Sequence, residues 1–270
     1  MCKIYKRFDS VKTFAEYLEN GTTQPFFKYY ECSKTDDYSF TGTNSFNEAH
    51  GLMLYGDKNL QKKIEAAGVS DVRTNIRKYV AKRQIYSSVV GAMPNVPAYL
   101  AGAPNSMINV RKQKQKQTVV NVGYNSAVFG GVDADEIVYG GAKLVAALMI
   151  LEAKGIKANV YCLDLDTEGK QYVSYSIKIK SSGQKFDTLR MAYFLAHPSM
   201  NRRHKFRFQE ITEGITKDFT HGYGRPETDD KKIVEHFKNN CKLNLDAAFN
   251  YESLSGMTTE QIIDRILGKD

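Results

Sequence analysis

From residue 118 onward extended and helical patterns alternate, and this alternation restricts the fold more than any other feature of the chain. An apolar strand over 118–124 precedes a helix over about 133–154, and Gly155 then introduces a strand over 156–163. Two β-rich stretches, 171–174 and 175–180, lead to a helix near 187–196 and a strand over 204–210. A helix over 228–239, a strand over 245–250 and a helix over 258–267 complete the pattern. Strands separated by helices pair side by side, so the expected class is α/β, a mainly parallel sheet flanked by helices. Ile137, Leu144, Leu148 and Leu151 run along the first long helix and should pack it on that sheet.

The first 90 residues read as a mostly helical region. Ser10 caps a helix through Phe14 and Leu18 that stops at Gly21, and Asn44 and Ser45 cap a second that ends near Gly56. A third spans 58–67. A fourth starts at Ser70 or Asp71 and carries Val72, Ile76, Tyr79 and Val80 at helical spacing. Residues 91–117 form a connector and a basic arm. Pro94, Pro97 and Pro104 fall within eleven residues and rule out a continuous helix there. Residues 118–270 make up the α/β domain, and no internal repeat is evident.

Composition places the chain among ordinary globular proteins: 42% of its 270 residues are hydrophobic and 25% charged, unlike disordered or fibrous sequences. The apolar run Leu144–Leu151 is too short to span a bilayer, and no secretory signal stands at the start. A cytoplasmic protein without a membrane partner is expected. Cys2, Cys32, Cys162 and Cys241 form no C-x-x-C pair and fit free thiols in a reducing compartment.

Charge is the more telling balance. Lys and Arg number 38 against 30 acids, a net charge of +8, and 17 Tyr and 14 Phe supply flat rings. No acid occurs between residues 72 and 132. Within that stretch Arg73, Arg77, Lys78, Lys82 and Arg83 lie opposite an apolar helical stripe, and Arg111, Lys112, Lys114 and Lys116 alternate with glutamines. Such runs suit phosphate neutralisation; a solvated face and a bland linker fit the same residues. Phe26, Phe27, Tyr29, Tyr30, Tyr86 and Tyr99 are candidate base-stacking rings. In a strand at 201–208, Arg203, Lys205 and Arg207 would share one face and Phe206 and Phe208 the other, with the phenylalanines in the core.

Catalytic signals are thin. Walker A, G-x-G-x-x-G, G-x-S-x-G and H-E-x-x-H motifs are absent, and the histidines lack ligand spacing. Asp164, Asp166 and Glu168, with Lys178 and Lys180 near in sequence, resemble the carboxylates and lysine of a metal-dependent nuclease. Acids beside Gly169 also fit a solvated turn.

The stretch Val119-Val120-Asn121-Val122-Gly123-Tyr124-Asn125-Ser126, the helix segment 140–144 and Leu151-Glu152-Ala153-Lys154-Gly155 make residues 118–268 resemble a von Willebrand factor A-type domain. The segment 94–104 is similar to one found in bacteriophage proteins of uncharacterised function, a likeness that covers about 40–200. The A-type resemblance implies an Asp-x-Ser-x-Ser metal motif after the first strand. Here that stretch is Gly123-Tyr124-Asn125-Ser126-Ala127 without the aspartate, so no metal and no cofactor is expected, and Thr212-Glu213-Gly214 matches the family's later Thr-Asp-Gly only in part. The leading expectation is a non-enzymatic phage protein that binds nucleic acid, single-stranded DNA above all, and recruits or organises a phage or host polymerase or replication protein. The alternatives are a metal-free A-type protein-interaction module of a virion or of host takeover, and a metal-dependent nuclease.

Overall fold

A computed structural model describes residues 2–28, 31–64, 84–111, 118–216, 219 and 222–269. In chain order the N-terminal part holds β1 (Cys2–Phe8), α1 (Val11–Asn20), the one-turn α2 (Tyr38–Thr41), α3 (Phe46–Tyr55) and α4 (58–64). Ser10 and Ser45 cap α1 and α3 as their spacing requires, accepting from the Thr13 and Glu48 amides at 3.2 and 3.1 Å. The expected helical region does not begin with a helix. Residues 2–8 are extended and pair in parallel with a strand 169 residues away, a partner that no local pattern announces.

Residues 84–111, which take in the end of the expected helical region and most of the expected connector, fold as β2 (Gln84–Ser88), a strand where a helix was expected, β3 (Met93–Pro94), α5 (Val96–Leu100) and β4 (Met107–Arg111). The remaining elements are β5 (Val119–Asn125), α6 (Ala134–Ala153), β6 (Lys157–Glu168), β7 (Gln171–Lys180) and α7 (Thr188–Ala196). A π-helical turn, Met200–Lys205, runs into α8 (Phe206–Ile211). Then follow β8 (Arg225–Pro226), α9 (Asp230–Cys241), β9 (Ala247–Phe249), α10 (Tyr251–Gly256) and α11 (Thr259–Ile266).

The main sheet has the order β1-β7-β6-β5-β9, with β8 also paired to β6. β1/β7, β6/β5 and β5/β9 are parallel; the β6–β7 hairpin and the short β8 contact are antiparallel. The fold is α/β with a mixed, mostly parallel sheet flanked by helices. Its antiparallel element arises because only Gly169 and Lys170 separate β6 from β7, far too few residues for a crossover.

Alternation along β6 sends its two sides into two cores. Tyr161, Leu163 and Leu165 pack with Ile233, Phe237 and Cys241 of α9. Val160 and Cys162 join the larger cluster with α1, α6 and α7. A Cβ on Gly141 would lie 2.0 Å from the Leu195 carbonyl oxygen, so glycine lets α6 and α7 approach this closely. No helix among the described residues is long and apolar enough to cross a membrane.

The 201–208 segment corrects an expected strand. It is helical, and Arg202, Arg203, His204 and Lys205 are all at most 2% exposed. The phenylalanines divide, with Phe208 buried and Phe206 half-buried against the core.

Candidate nucleic-acid interface

The three-stranded sheet β2-β4-β3 is held by local geometry. Gly91 passes so near β4 that a Cβ there would meet the Ile108 carbonyl oxygen at 2.6 Å. Ala92 donates its amide to that oxygen at 3.0 Å, and Asn109 Nδ2 donates to the Val90 carbonyl at 3.0 Å. Asn95 caps α5, in which Pro97 takes an early position where its missing amide costs nothing. None of residues 86–109 is buried. Tyr86, Val89, Val90, Met93, Val96, Tyr99 and Leu100 all lie open, Tyr99 at 71% and Leu100 at 78%.

Of the cations assigned from sequence to phosphate contact, Arg73, Arg77, Lys78, Lys82, Arg83, Lys112, Lys114 and Lys116 lie outside the described residues. Arg111 closes β4, and its register partner is Gln84, the first residue of β2. The chain therefore enters the small sheet from the 73–83 run and leaves it into the 112–116 run at paired positions. Arg83 and Lys112 are each one peptide bond from that pair. In sequence, the two cationic runs adjoin these paired positions.

The candidate rings sort clearly. Tyr86 and Tyr99 are exposed, Phe27 is fully buried, Phe26 packs against the core, and Tyr29 and Tyr30 lie outside the described residues. The basic run at 202–207 faces inward. Arg203 Nε donates to Thr43 Oγ1 at 2.7 Å, Nη1 to the Ser33 carbonyl at 3.0 Å, and Nη2 to Thr41 Oγ1 and the Thr43 carbonyl at 3.0 and 2.8 Å. Arg202 donates to the Phe40 and Val132 carbonyls. Arg207 reaches the Gly21 carbonyl and Thr23 Oγ1, each at 2.7 Å. These arginines fasten residues 18–43 to the α/β body, and the burial of Arg202 and Arg203 keeps them from presenting a face to phosphate.

The carboxylates are equally internal. Asp164 and Asp166 are fully buried within β6, not in a turn; the turn comes later, at Gly169. Lys180 is committed to Glu152 Oε1 at 2.7 Å, and Lys178, paired with Tyr161, takes the opposite side of the sheet from Asp164. The lysine that meets Asp166 is Lys205, 39 residues away, and no sequence spacing pointed to it. After β5, Asn125 Nδ2 donates to the Glu227 carbonyl and Oδ1 accepts from the Leu165 amide, while Ser126 Oγ donates to the Leu163 carbonyl. Both side chains are used to stitch strands together. The Thr212 hydroxyl is likewise engaged, with the Phe208 carbonyl at 2.5 Å. Among the described residues no group of three or more His, Cys, Asp or Glu is placed to hold a metal.

A cleft of about 600 Å³ opens near the start of α6 and carries Glu48, Asp57, Asp133, Asp135 and Glu136 against Lys63. His197 also lines it, and burial pushes its imidazole down to about 4, so it is neutral at physiological pH and offsets none of the acid. This face repels phosphate.

Residues 3–262 match the family described as a domain of unknown function, DUF7192, and the chain belongs to that family. No curated protein and no solved structure matches it.

Proposed function

We propose that the protein binds nucleic acid, single-stranded DNA most readily, through the β2-β4-β3 sheet and the cationic runs on either side of it. The observation that carries this reading is the Gln84–Arg111 register, beside the exposed rings of Tyr86 in β2 and Tyr99 in α5; the acid-free runs adjoin these two positions in sequence. Cations neutralise the backbone, and rings in water offer stacking surfaces that any base can use. The reading extends to recruiting or organising a replication or transcription machine, non-enzymatically, in the cytoplasm of a phage host. The strand and helix alternation over 118–268 supports the A-type resemblance of the body that presents the sheet.

Labelled single-stranded and double-stranded DNA of one sequence, titrated across a salt series, tests this. With six phosphate contacts a fourfold rise in salt weakens single-strand binding by roughly 10²–10³-fold. Tyr86→Ala and Tyr99→Ala should each weaken the single strand by about 1–3 kcal/mol and spare the duplex. Weak, salt-insensitive binding to both would overturn the proposal.

A second reading has its own observation. Val89, Val90, Met93, Val96 and Leu100 form an exposed apolar set that phosphate contact does not use. Such surface favours a protein-interaction module, whose binding would persist in high salt.

A further inference from the structure

The face of β6 that meets the π-helical turn and α8 carries a carboxyl pair whose charges do not balance. Asp164 and Asp166 are both 0% exposed. Both oxygens of Asp166 are occupied: Lys205 Nζ lies 2.9 Å from Oδ1 and 2.8 Å from Oδ2, and Gln209 Nε2 donates to Oδ2 at 2.9 Å. Asp164 differs. Neither of its oxygens receives a hydrogen bond from any described residue. Its surroundings are Cys162 and Asp166 on its own strand, its register partner Tyr175 on β7, and Lys205 from the π-helical turn. Gly224 lies against the Asp166 Cβ and adds no charge. Lys205 is thus the single cation facing two carboxyl groups among the described residues.

Two ionised carboxylates against one ammonium would leave a net negative charge buried away from bulk solvent, which costs several kcal/mol in a protein interior. One proton removes the imbalance. Asp166 already receives donors that favour its ionised form, whereas Asp164 lacks any. We propose that Asp164 is held protonated at neutral pH and donates its hydroxyl to Asp166, so that the pair carries one charge matched by Lys205. The arrangement makes the junction of β6 with the turn and α8 a proton-dependent lock. Burial first, and the Asp166 charge second, hold the Asp164 carboxyl well above the usual carboxylate range.

The sign of the pH effect follows. The unfolded chain ionises Asp164 near pH 4, while the folded protein retains the proton. The stabilising contribution is complete below that pH and is lost as pH rises toward and through the folded-state value. Asp164→Asn keeps the shape and a donor and removes the titration. Its melting temperature should match that of the wild type near pH 4 and exceed it by roughly 3 °C or more at pH 8. A difference that stays constant or reverses over this range overturns the proposal. Isotope-edited infrared spectroscopy of the full chain with ¹³C-aspartate gives an independent reading. A protonated aspartic acid carbonyl band at pH 7, absent from Asp164→Asn, supports the shared proton, and no such band in the wild type refutes it. Stabilisation of the wild type by MgCl₂ or KCl that Asp164→Asn lacks would put a metal ion where the proton is proposed, and would also refute it.

Discussion

Replacing Arg203 with alanine is expected to lower the melting temperature by roughly 6–12 °C, the equivalent of about 3 kcal/mol in a chain of this size. Its guanidinium is fully buried and makes four hydrogen bonds to Ser33, Thr41 and Thr43. Among the described residues no carboxylate comes within ion-pair distance, so neutral oxygens and hydroxyls balance the charge. Truncation leaves several of these acceptors without a donor in a dry interior, each costing about 1–3 kcal/mol before relaxation. It also opens a cavity the size of the side chain. Arg203→Lys should recover little, because one ammonium cannot span three residues in a planar fork. Thermal unfolding followed by circular dichroism measures both variants; an unchanged midpoint for Arg203→Ala would mean that the 33–43 segment is not held from this side.

Reversing three charges in the first cationic run, with Arg77→Glu, Lys78→Glu and Lys82→Glu together, is expected to abolish single-strand binding. Losing three phosphate contacts flattens the salt dependence by about two units of log–log slope, and the new acids repel the backbone besides. The melting temperature should hold, which separates this variant from Arg203→Ala. Reversal of Arg111, Lys112, Lys114 and Lys116 should act in the same direction, since that run leaves the sheet at the position paired with Gln84. If the first triple variant binds as tightly as the wild type, the 73–83 run is surface charge only, and the exposed apolar set between residues 89 and 100 becomes the better guide to a partner.

Much of the chain was legible where its signals are local. The 133–154 and 187–196 periodicities became α6 and α7 within a residue or two, and the caps at Ser10 and Ser45 sit where their spacing put them. The two β-rich stretches at 171–174 and 175–180 proved to be the single strand β7. The 204–210 segment misled for a physical reason. Alternating Arg, Lys and Phe imitate a strand with one wet face, but tertiary packing buries all sides of this turn, so a polarity pattern no longer reports on exposure.

The candidate interface shows the same division. Residue types and runs alone mark the cations at 73–83 and 111–116, and the register that joins Gln84 to Arg111 is visible only once β2 and β4 pair. Strand and helix alternation, N-caps and the acid-free basic stretch are properties of neighbouring residues, and sequence by itself determined them. The addition of β1 to the sheet, the inward turn of Arg202, Arg203 and Lys205, and the meeting of Lys205 with Asp166 were decided by tertiary structure alone. Their partners lie from 39 to 170 residues away, and a buried charge takes whichever acceptor the folded chain brings within about 3 Å, a choice that no local spacing encodes.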